Sequence, residues 1–143
     1  MKLNTKVRYG LRAIIDIAQN QTDEGILQKE IASRQAIPLK YLDSIITGLR
    51  NRGLIINVAG KSSGYRLTKP ASDITVYDIY LAFEPELTLV HCLCDSIECK
   101  MSEDCPAQDY WFELNTTIKK VMQTSTLEEV INGAFKSRFT GFL

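Results

Sequence analysis

Apolar residues in the first half of the chain recur at the spacing of amphipathic helices. Over residues 5–19 they fall at intervals of 4, 3, 1 and 3, which places them on one stripe of a helix. A second such pattern covers residues 38–52, and Gly53 is well placed to end that helix. A shorter helix is predicted over residues 27–35, followed by a turn at residues 36–38 that ends in proline. Two helices joined by so short a turn predict a helix-turn-helix.

The pattern then changes to two short runs that favour β-structure. Leu54–Val58 and Tyr65–Thr68 flank residues 59–64, a loop that contains two glycines and Lys61. Such runs around a glycine-containing turn predict a hairpin, and a hairpin directly after a helix-turn-helix is a wing. A fourth helix is predicted over residues 75–83.

A long amphipathic helix is predicted in the second half of the chain, beginning near Pro106 and ending near Gln123. A small domain has little reason to keep a broad apolar stripe on an appendage, so we expect this helix to pair with a second copy of the chain. The alternative is that the helix folds back on its own core. Thr126 begins a capping box and a final short helix. Five residues at spacings of 3, 4, 3 and 1 define the stripe: Trp111, Leu114, Ile118, Val121 and Met122.

Charge is distributed unevenly along the chain, although the formal net charge is zero. Residues 1–70 contain twelve Lys and Arg against five Asp and Glu, a net charge of +7. Residues 71–143 contain five against twelve, a net charge of −7. A basic first half favours a polyanionic partner for that half alone.

The predicted second helix of the helix-turn-helix has the polar face that a DNA-recognition helix needs. Such a helix enters a major groove ~12 Å wide with polar residues outward. Lys40 could contact a phosphate or a guanine edge, and Asp43 could accept a hydrogen bond from a cytosine amino group, because a carboxylate has only acceptors. We therefore predict that the chain binds double-stranded DNA. The candidate DNA contacts are Lys40, Tyr41, Asp43, Ser44, Thr47 and Arg50, with Lys61 from the wing.

All four cysteines lie within one fourteen-residue window. A cluster of this kind in a protein of a reducing compartment more often binds metal or does redox chemistry than forms static disulfides. Thiolates hold iron–sulfur clusters, and a flexible loop lets three or four of them converge. The candidate ligands are Cys94, Cys99 and Cys105, with Cys92 as a fourth.

Other uses of these cysteines remain open. The spacing is not the paired C-x2-C pattern of a structural zinc knuckle, but zinc is an alternative, as is a metal-free thiol–disulfide switch. His91 adjoins Cys92 and is a weaker candidate ligand, and Gln108 and Asp109 are weaker still. One histidine and no paired catalytic carboxylates leave no acid–base constellation, so we do not expect an enzyme.

Several motifs, in order along nearly the whole chain, resemble a known family. The chain resembles the dimeric winged-helix regulators typified by IscR and NsrR. The similarity to their first helix lies in Met1–Lys6 and Arg8–Ala13, the similarity to their recognition helix in Pro38–Leu42 and Leu49–Leu54, and the similarity to their wing in Gly64–Leu67. The resemblance implies a homodimeric transcription regulator. It also implies a 2Fe–2S or 4Fe–4S cluster held by three cysteines and a variable fourth ligand. Loss of the cluster, to nitric oxide, oxygen or iron shortage, would change operator affinity.

The chain departs from this family at the fourth ligand and in the wing. Some members use an acidic residue near position 8 of the partner subunit, where this chain has Arg8. Cys92 is the obvious substitute, or it displaces Cys94 as the first ligand. The spacing of the last three cysteines is closer to the nitric-oxide-responsive branch. The wing has Ala59–Gly60 where relatives often have Arg-Gly.

Together these features predict a mainly α fold: a winged helix-turn-helix with a β-hairpin wing and a long C-terminal dimerisation helix. We expect residues 1–84 to form the DNA-binding region, residues 85–106 a cysteine-rich sensor loop, and residues 107–143 the dimerisation helix and C-terminal segment. The alternative is a metal-free regulator of the same fold, controlled by a thiol switch or a protein partner. No signal peptide or membrane span of ~20 apolar residues is evident, so we expect a cytoplasmic protein with no membrane partner.

Overall fold

The computed structural model describes residues 2–58, 64–93 and 104–135. Short 3-10 turns lie at Ala71–Asp73 and His91–Leu93. The strands are β1 (Ile55–Asn57) and β2 (Tyr65–Leu67). The helices within these ranges are α1 (Thr5–Asn20), α2 (Gln28–Gln35), α3 (Leu39–Asn51), α4 (Val76–Tyr80), α5 (Pro106–Thr124) and α6 (Leu127–Ile131).

Helices α1 and α3 form where their apolar periodicity predicts them. The side chain of Asn4 caps α1 by accepting a hydrogen bond from the backbone N–H of Lys6 at 2.8 Å. On α3, Leu39 is 52% exposed although the periodicity predicts it on the apolar face, because it lies in the first turn, beyond the reach of the core. The remaining apolar residues of that face are buried, as predicted: Leu42, Ile45, Ile46 and Leu49.

The wing is a two-stranded antiparallel hairpin to which a third segment is added. Ile55 pairs with Leu67, and Asn57 pairs with Tyr65. The segment before α2 also pairs with β2: the backbone of Ile26 exchanges two hydrogen bonds with Tyr65, at 2.9 and 2.8 Å. The segment between α1 and α2 therefore ends in a β-bridge that ties α2 to the wing.

Glycine permits the close backbone contact beside this bridge. Gly25 has a φ of 76°, and a Cβ on it would lie 2.6 Å from the carbonyl carbon of Gly64. A Cβ on Gly64 would lie 2.5 Å from the carbonyl carbon of Gly25. No side chain fits at either position without moving backbone, so both glycines are needed for the wing to approach α2 this closely.

Helix α4 is shorter than the predicted range of 75–83. It ends at Tyr80, and the following residues form i to i−3 hydrogen bonds, from Ala82 to Ile79 and from Phe83 to Tyr80. This tightening places the ring of Phe83 between α1 and α3. A Cβ on Gly48 would lie 2.5 Å from that ring, and a Cβ on Gly10 would also collide with it.

The end of the chain returns to the core of the first region. Thr126 and Glu129 form the predicted capping box that begins α6. The segment before α6 pairs with the segment before α4: the N–H of Leu127 donates to the carbonyl oxygen of Ile74 at 2.8 Å. Both of these apolar side chains are fully buried. The predicted third region therefore contributes α6 to the core that supports the helix-turn-helix.

Candidate DNA-binding surface and cysteine site

The outward face of α3 presents most of the side chains predicted to contact DNA. Lys40, Asp43, Thr47 and Arg50 are exposed there, because the opposite face of the helix is occupied by buried leucine and isoleucine. Thr47 donates its hydroxyl to the carbonyl oxygen of Asp43 at 2.8 Å, so its rotamer is held along the helix.

Two predicted DNA contacts lie deeper in the structure. Tyr41 is half-buried, with its ring edge-on to Tyr9 at 5.6 Å between centroids. Ser44 is also half-buried, and its hydroxyl donates to the carbonyl oxygen of Tyr41 at 2.8 Å. The remaining predicted contact, Lys61, lies outside the described residues.

A concavity of about 670 Å³ flanks the polar face of α3. The residues that line it include Lys6 of α1, Lys40 and Ala82–Phe83. Two lysines at the edge of an exposed recognition helix suit the neutralisation of a phosphate backbone. Lys6 is not among the predicted DNA contacts, because it lies on α1, outside the predicted helix-turn-helix.

Asp43 is held from the neighbouring helix. Gln28, the first residue of α2, donates its side-chain Nε2–H to Oδ1 of Asp43. The two residues are separated by the turn of the helix-turn-helix, so no local pattern in the sequence connects them. The contact fixes the direction of a carboxylate in the middle of the candidate DNA-binding face.

A polar cluster also fixes α1 against α2. The carboxylate of Asp16 is only 2% exposed, and Arg34 binds it through two nitrogens, at 2.8 and 3.0 Å. Gln35 donates a further hydrogen bond to Asp16 at 3.0 Å. The hydrogen bonds that Arg34 donates to Asp16, together with the negative charge of that carboxylate, raise the pKa of Arg34. A buried carboxylate needs such partners, so the cluster holds the angle at which the helix-turn-helix is supported.

Two of the four predicted ligands lie within the described residues, and they occupy the same end of α5. Cys105 is the N-cap residue of α5, and its thiol makes no capping hydrogen bond. Gln108, in the first turn, donates its side-chain amide to the carbonyl oxygen of Cys92 at 3.4 Å. Both thiols are free and half-buried. Cys94 and Cys99 lie outside the described residues.

Helix α5 holds the segment that leads to Cys92. The side-chain amide of Asn115 donates to the carbonyl oxygen of Leu87 at 3.2 Å and accepts from the N–H of Leu89 at 2.9 Å. One turn later, Lys119 pairs with Glu86, which raises the pKa of that lysine. These contacts cross from α5 to residues 26 to 33 positions earlier, so no local sequence pattern predicts them.

The rest of α5 is poorly covered. No residue of the helix is buried, and it packs through Ile118 and Met122 against a small cluster that contains Tyr77 and Leu87. The largest exposed apolar residues of the helix are Tyr110, Trp111, Phe112 and Val121, of which Tyr110 and Val121 lie on one side. Helix α5 therefore packs partly on its own chain and also leaves large apolar side chains exposed to solvent.

The described residues contain no metal centre of three or more His, Cys, Asp or Glu side chains. His91 is exposed beside Cys92, and Asp109 is exposed in the first turn of α5. Among these same residues, no helix is long and apolar enough to cross a membrane.

The chain is similar in sequence and structure to known transcriptional regulators. A family model described as Rrf2, iron-dependent transcriptional regulator, matches residues 3–133. The protein rrf2 of Nitratidesulfovibrio vulgaris is 34% identical over 134 residues, which cover 94% of this chain and 89% of that protein. CymR, the global cysteine regulator of B. subtilis, superposes with a TM-score of 0.76 at 27% identity, covering 92% of this chain and 97% of that one. IscR of T. potens superposes with a TM-score of 0.73 at 28% identity, covering 96% and 90%.

Proposed function

Since the chain belongs to the Rrf2 family of transcriptional regulators, we propose that it binds operator DNA as a homodimer through the exposed face of α3, under the control of a cysteine-bound iron–sulfur cluster. DNA-binding regulation of transcription through a helix-turn-helix is the activity of this family, and the chain is not an enzyme. The resemblance to winged-helix regulators and the mainly α fold with a hairpin wing are thereby confirmed.

The observation that carries the DNA-binding assignment is the exposed polar face of α3 beside Lys6. We assign Lys40 and Arg50 to phosphates or guanine edges, because both side chains are exposed and only donate hydrogen bonds. Thr47 and Asp43 face outward between them, and Tyr41 and Ser44 lie at the buried edge of the same surface. We include Lys61 among the proposed DNA contacts only because the sequence places it in the loop of the wing.

The experiment for this assignment is selection of operators from a random double-stranded pool by the full chain, followed by titrations at several salt concentrations. We expect a two-fold symmetric sequence with half-sites about one helical turn, ~34 Å, apart. Affinity should fall as salt rises, with a slope that reflects the phosphate contacts. Recovery of no sequence from the pool would contradict the assignment.

The homodimer is supported by the uncovered apolar side of α5. Tyr110 is 61% exposed and Val121 is 55% exposed, and both lie on the same side of α5 because about three helical turns separate them, while another side of the helix already packs on its own chain. Burial of this side against a second copy would remove these side chains from water. The two α5 helices would then set the distance between the two recognition helices.

The described thiols fit a cysteine-ligated cluster. Cys92 and Cys105 lie at the N-terminal end of α5, where backbone N–H groups and the helix dipole favour negatively charged ligands. We assign Cys94, Cys99 and Cys105 as ligands, with Cys92 as a fourth or as a replacement for Cys94. When bound, a 2Fe–2S or 4Fe–4S cluster would supply a centre that responds to oxygen, nitric oxide or iron supply. Gln108 and Asn115 would hold the Cys92 segment on α5.

A metal-free thiol switch is the second candidate. The observation that favours it is the similarity to CymR, which is a global cysteine regulator and has also been solved in an oxidised form from Staphylococcus aureus. Cys92 and Cys105 are free thiols at one site, and oxidation of such a pair would tie the start of α5 to the preceding segment. Zinc is a further alternative for the same thiols.

Anaerobic purification with iron and sulfide assays and a visible spectrum separates these candidates. A brown protein that loses its colour in Cys92→Ser or in Cys94→Ser supports the cluster and identifies the first ligand. A colourless, iron-free protein from cells competent in cluster assembly contradicts the cluster. Zinc bound to that colourless protein would support a zinc site at the same thiols. A colourless protein without zinc would support the thiol switch.

A further inference from the structure

We propose that Gln28 is a positioning residue for DNA recognition, which fixes the carboxylate of Asp43 so that it selects a base with an exocyclic amino group. This inference rests on the proposed contact between α3 and operator DNA. Gln28 itself lies on α2, outside the recognition helix, so its effect on base preference would be exerted through Asp43.

The chemistry of the pair determines which way the amide points. An ionised carboxylate only accepts hydrogen bonds, so the glutamine must present its NH2 group to Asp43. Oδ1 of Asp43 is taken by Nε2 of Gln28, and Oδ2 has no hydrogen-bond partner within the described residues. Asp43 forms no ion pair with any described residue.

Asp43 lies on the proposed DNA-binding surface, where its free carboxylate oxygen could accept a hydrogen bond from a base. An acidic side chain on a surface that approaches phosphates is unfavourable unless it gains a hydrogen bond there. Asp43 lines the same groove as Lys6 and Lys40 and is exposed, so a free acceptor is directed at the proposed DNA surface. In the major groove, exocyclic amino donors are found on cytosine at N4 and adenine at N6.

Without Gln28, the Asp43 side chain would be free to turn toward other rotamers or toward the lysines. A single fixed rotamer concentrates the acceptor in one direction, which sharpens discrimination between bases. The pair joins α2 to α3 across 15 residues of sequence, so it also ties base preference to the geometry of the helix-turn-helix turn.

The test compares base preference rather than affinity alone. Operators are selected from a random double-stranded pool with the full-length wild type, and each base pair is then varied in competition titrations. We expect Asp43→Ala to abolish preference for cytosine or adenine at one position in each half-site. A direct contact of this type discriminates about 5- to 150-fold.

Gln28→Met keeps the length and packing of the side chain and removes only the amide. We expect it to lose most of the preference at the Asp43-dependent position while its affinity for the selected operator changes by less than about threefold. In the Asp43→Ala background the same change should have no further effect on base preference. Gln19→Met, an exposed glutamine on α1, is the matched control and should leave every preference unchanged.

Urea unfolding of each variant separates positioning from folding. If Gln28 had a purely structural role, Gln28→Met would lower the free energy of unfolding and would weaken binding by the same factor whichever base pair is varied. Equal base preferences in wild type and Gln28→Met would overturn the inference, as would an unchanged preference in Asp43→Ala. If the wild type selects no sequence, the proposed function fails instead, so the two failures are distinguishable.

Discussion

The helix-turn-helix and helix α5 differ in how much of their apolar surface the chain itself covers. The apolar face of α3 is buried from Leu42 to Leu49, and α1 contributes fully buried residues to the same core. No residue of α5 is buried, and Phe112 and Val121 are more than half exposed. The apolar surface of the helix-turn-helix is therefore covered within one chain, whereas much of the apolar surface of α5 is left exposed.

Their polar contacts differ in the same way. Where α1 packs against the helix-turn-helix, Asp16 is buried and bound by Arg34 and Gln35, so the angle between α1 and α2 is held by hydrogen bonds to a buried carboxylate. On α5, Asn115 and Lys119 hold a surface segment through half-buried or exposed contacts. Solvent-exposed contacts of this kind contribute little to stability, so α5 can shift at lower cost than α3. This difference suits a rigid DNA-binding surface joined to a responsive helix.

The largest effect is expected from an opening of the helix-turn-helix core. Ile45→Ala should lower the free energy of unfolding by about 2–5 kcal/mol, because Ile45 is fully buried and its loss leaves a cavity. The matched change Ile56→Ala, at a residue 41% exposed, should cost less than about 0.5 kcal/mol. Urea denaturation measures both. Similar losses at the two positions would show that the core does not carry the stability of this region.

On α5 the corresponding change should affect association instead of folding. Val121→Glu places a charge on the uncovered apolar side, so we expect the dimer dissociation constant to rise about tenfold or more, or ~1.4 kcal/mol. Thr116→Glu adds the same charge on another side of the helix and is the control. Sedimentation measures both, and an unchanged dissociation constant in Val121→Glu would exclude this face as the interface.

A smaller effect is expected for one lysine of the DNA-binding surface. Lys40→Ala should weaken operator binding about three- to tenfold and lower the salt slope by about one, since one phosphate contact is lost. Lys120→Ala removes an exposed lysine from α5 and should change neither quantity. Titrations at several salt concentrations distinguish the two, and equal effects would indicate non-specific attraction only.

The smallest effect tests the contact between α5 and the cysteine segment. Asn115→Ala removes both hydrogen bonds to the backbone of residues 87–89, so alkylation of the half-buried Cys92 thiol should become about threefold faster. Reduced, metal-free protein is treated with iodoacetamide and the labelling of Cys92 is followed by mass spectrometry. Thr117→Ala, at an exposed position on α5, is the control. Unchanged labelling in Asn115→Ala would mean that the amide does not hold this segment.

Local sequence determined the elements whose signals lie within a few turns of chain. The apolar stripes of α1 and α3, the hairpin around the glycine-containing loop and the capping box at Thr126 all predicted structure that is present. In each case the responsible interactions connect neighbours in the sequence or place one face of one element toward a core, so periodicity and capping residues were sufficient.

Tertiary structure alone decided which polar side chains meet. Asp16 with Arg34, Gln28 with Asp43, and Asn115 with the backbone at residues 87–89 are 15 to 28 positions apart. The β-bridge between Ile26 and Tyr65 connects residues that are still further apart in the sequence. Such contacts depend on how helices are oriented after the core forms, and a polar residue has the same local signal whether it meets solvent or a distant partner. The candidate site was therefore predictable as a set of residue types, and its geometry was decided by packing.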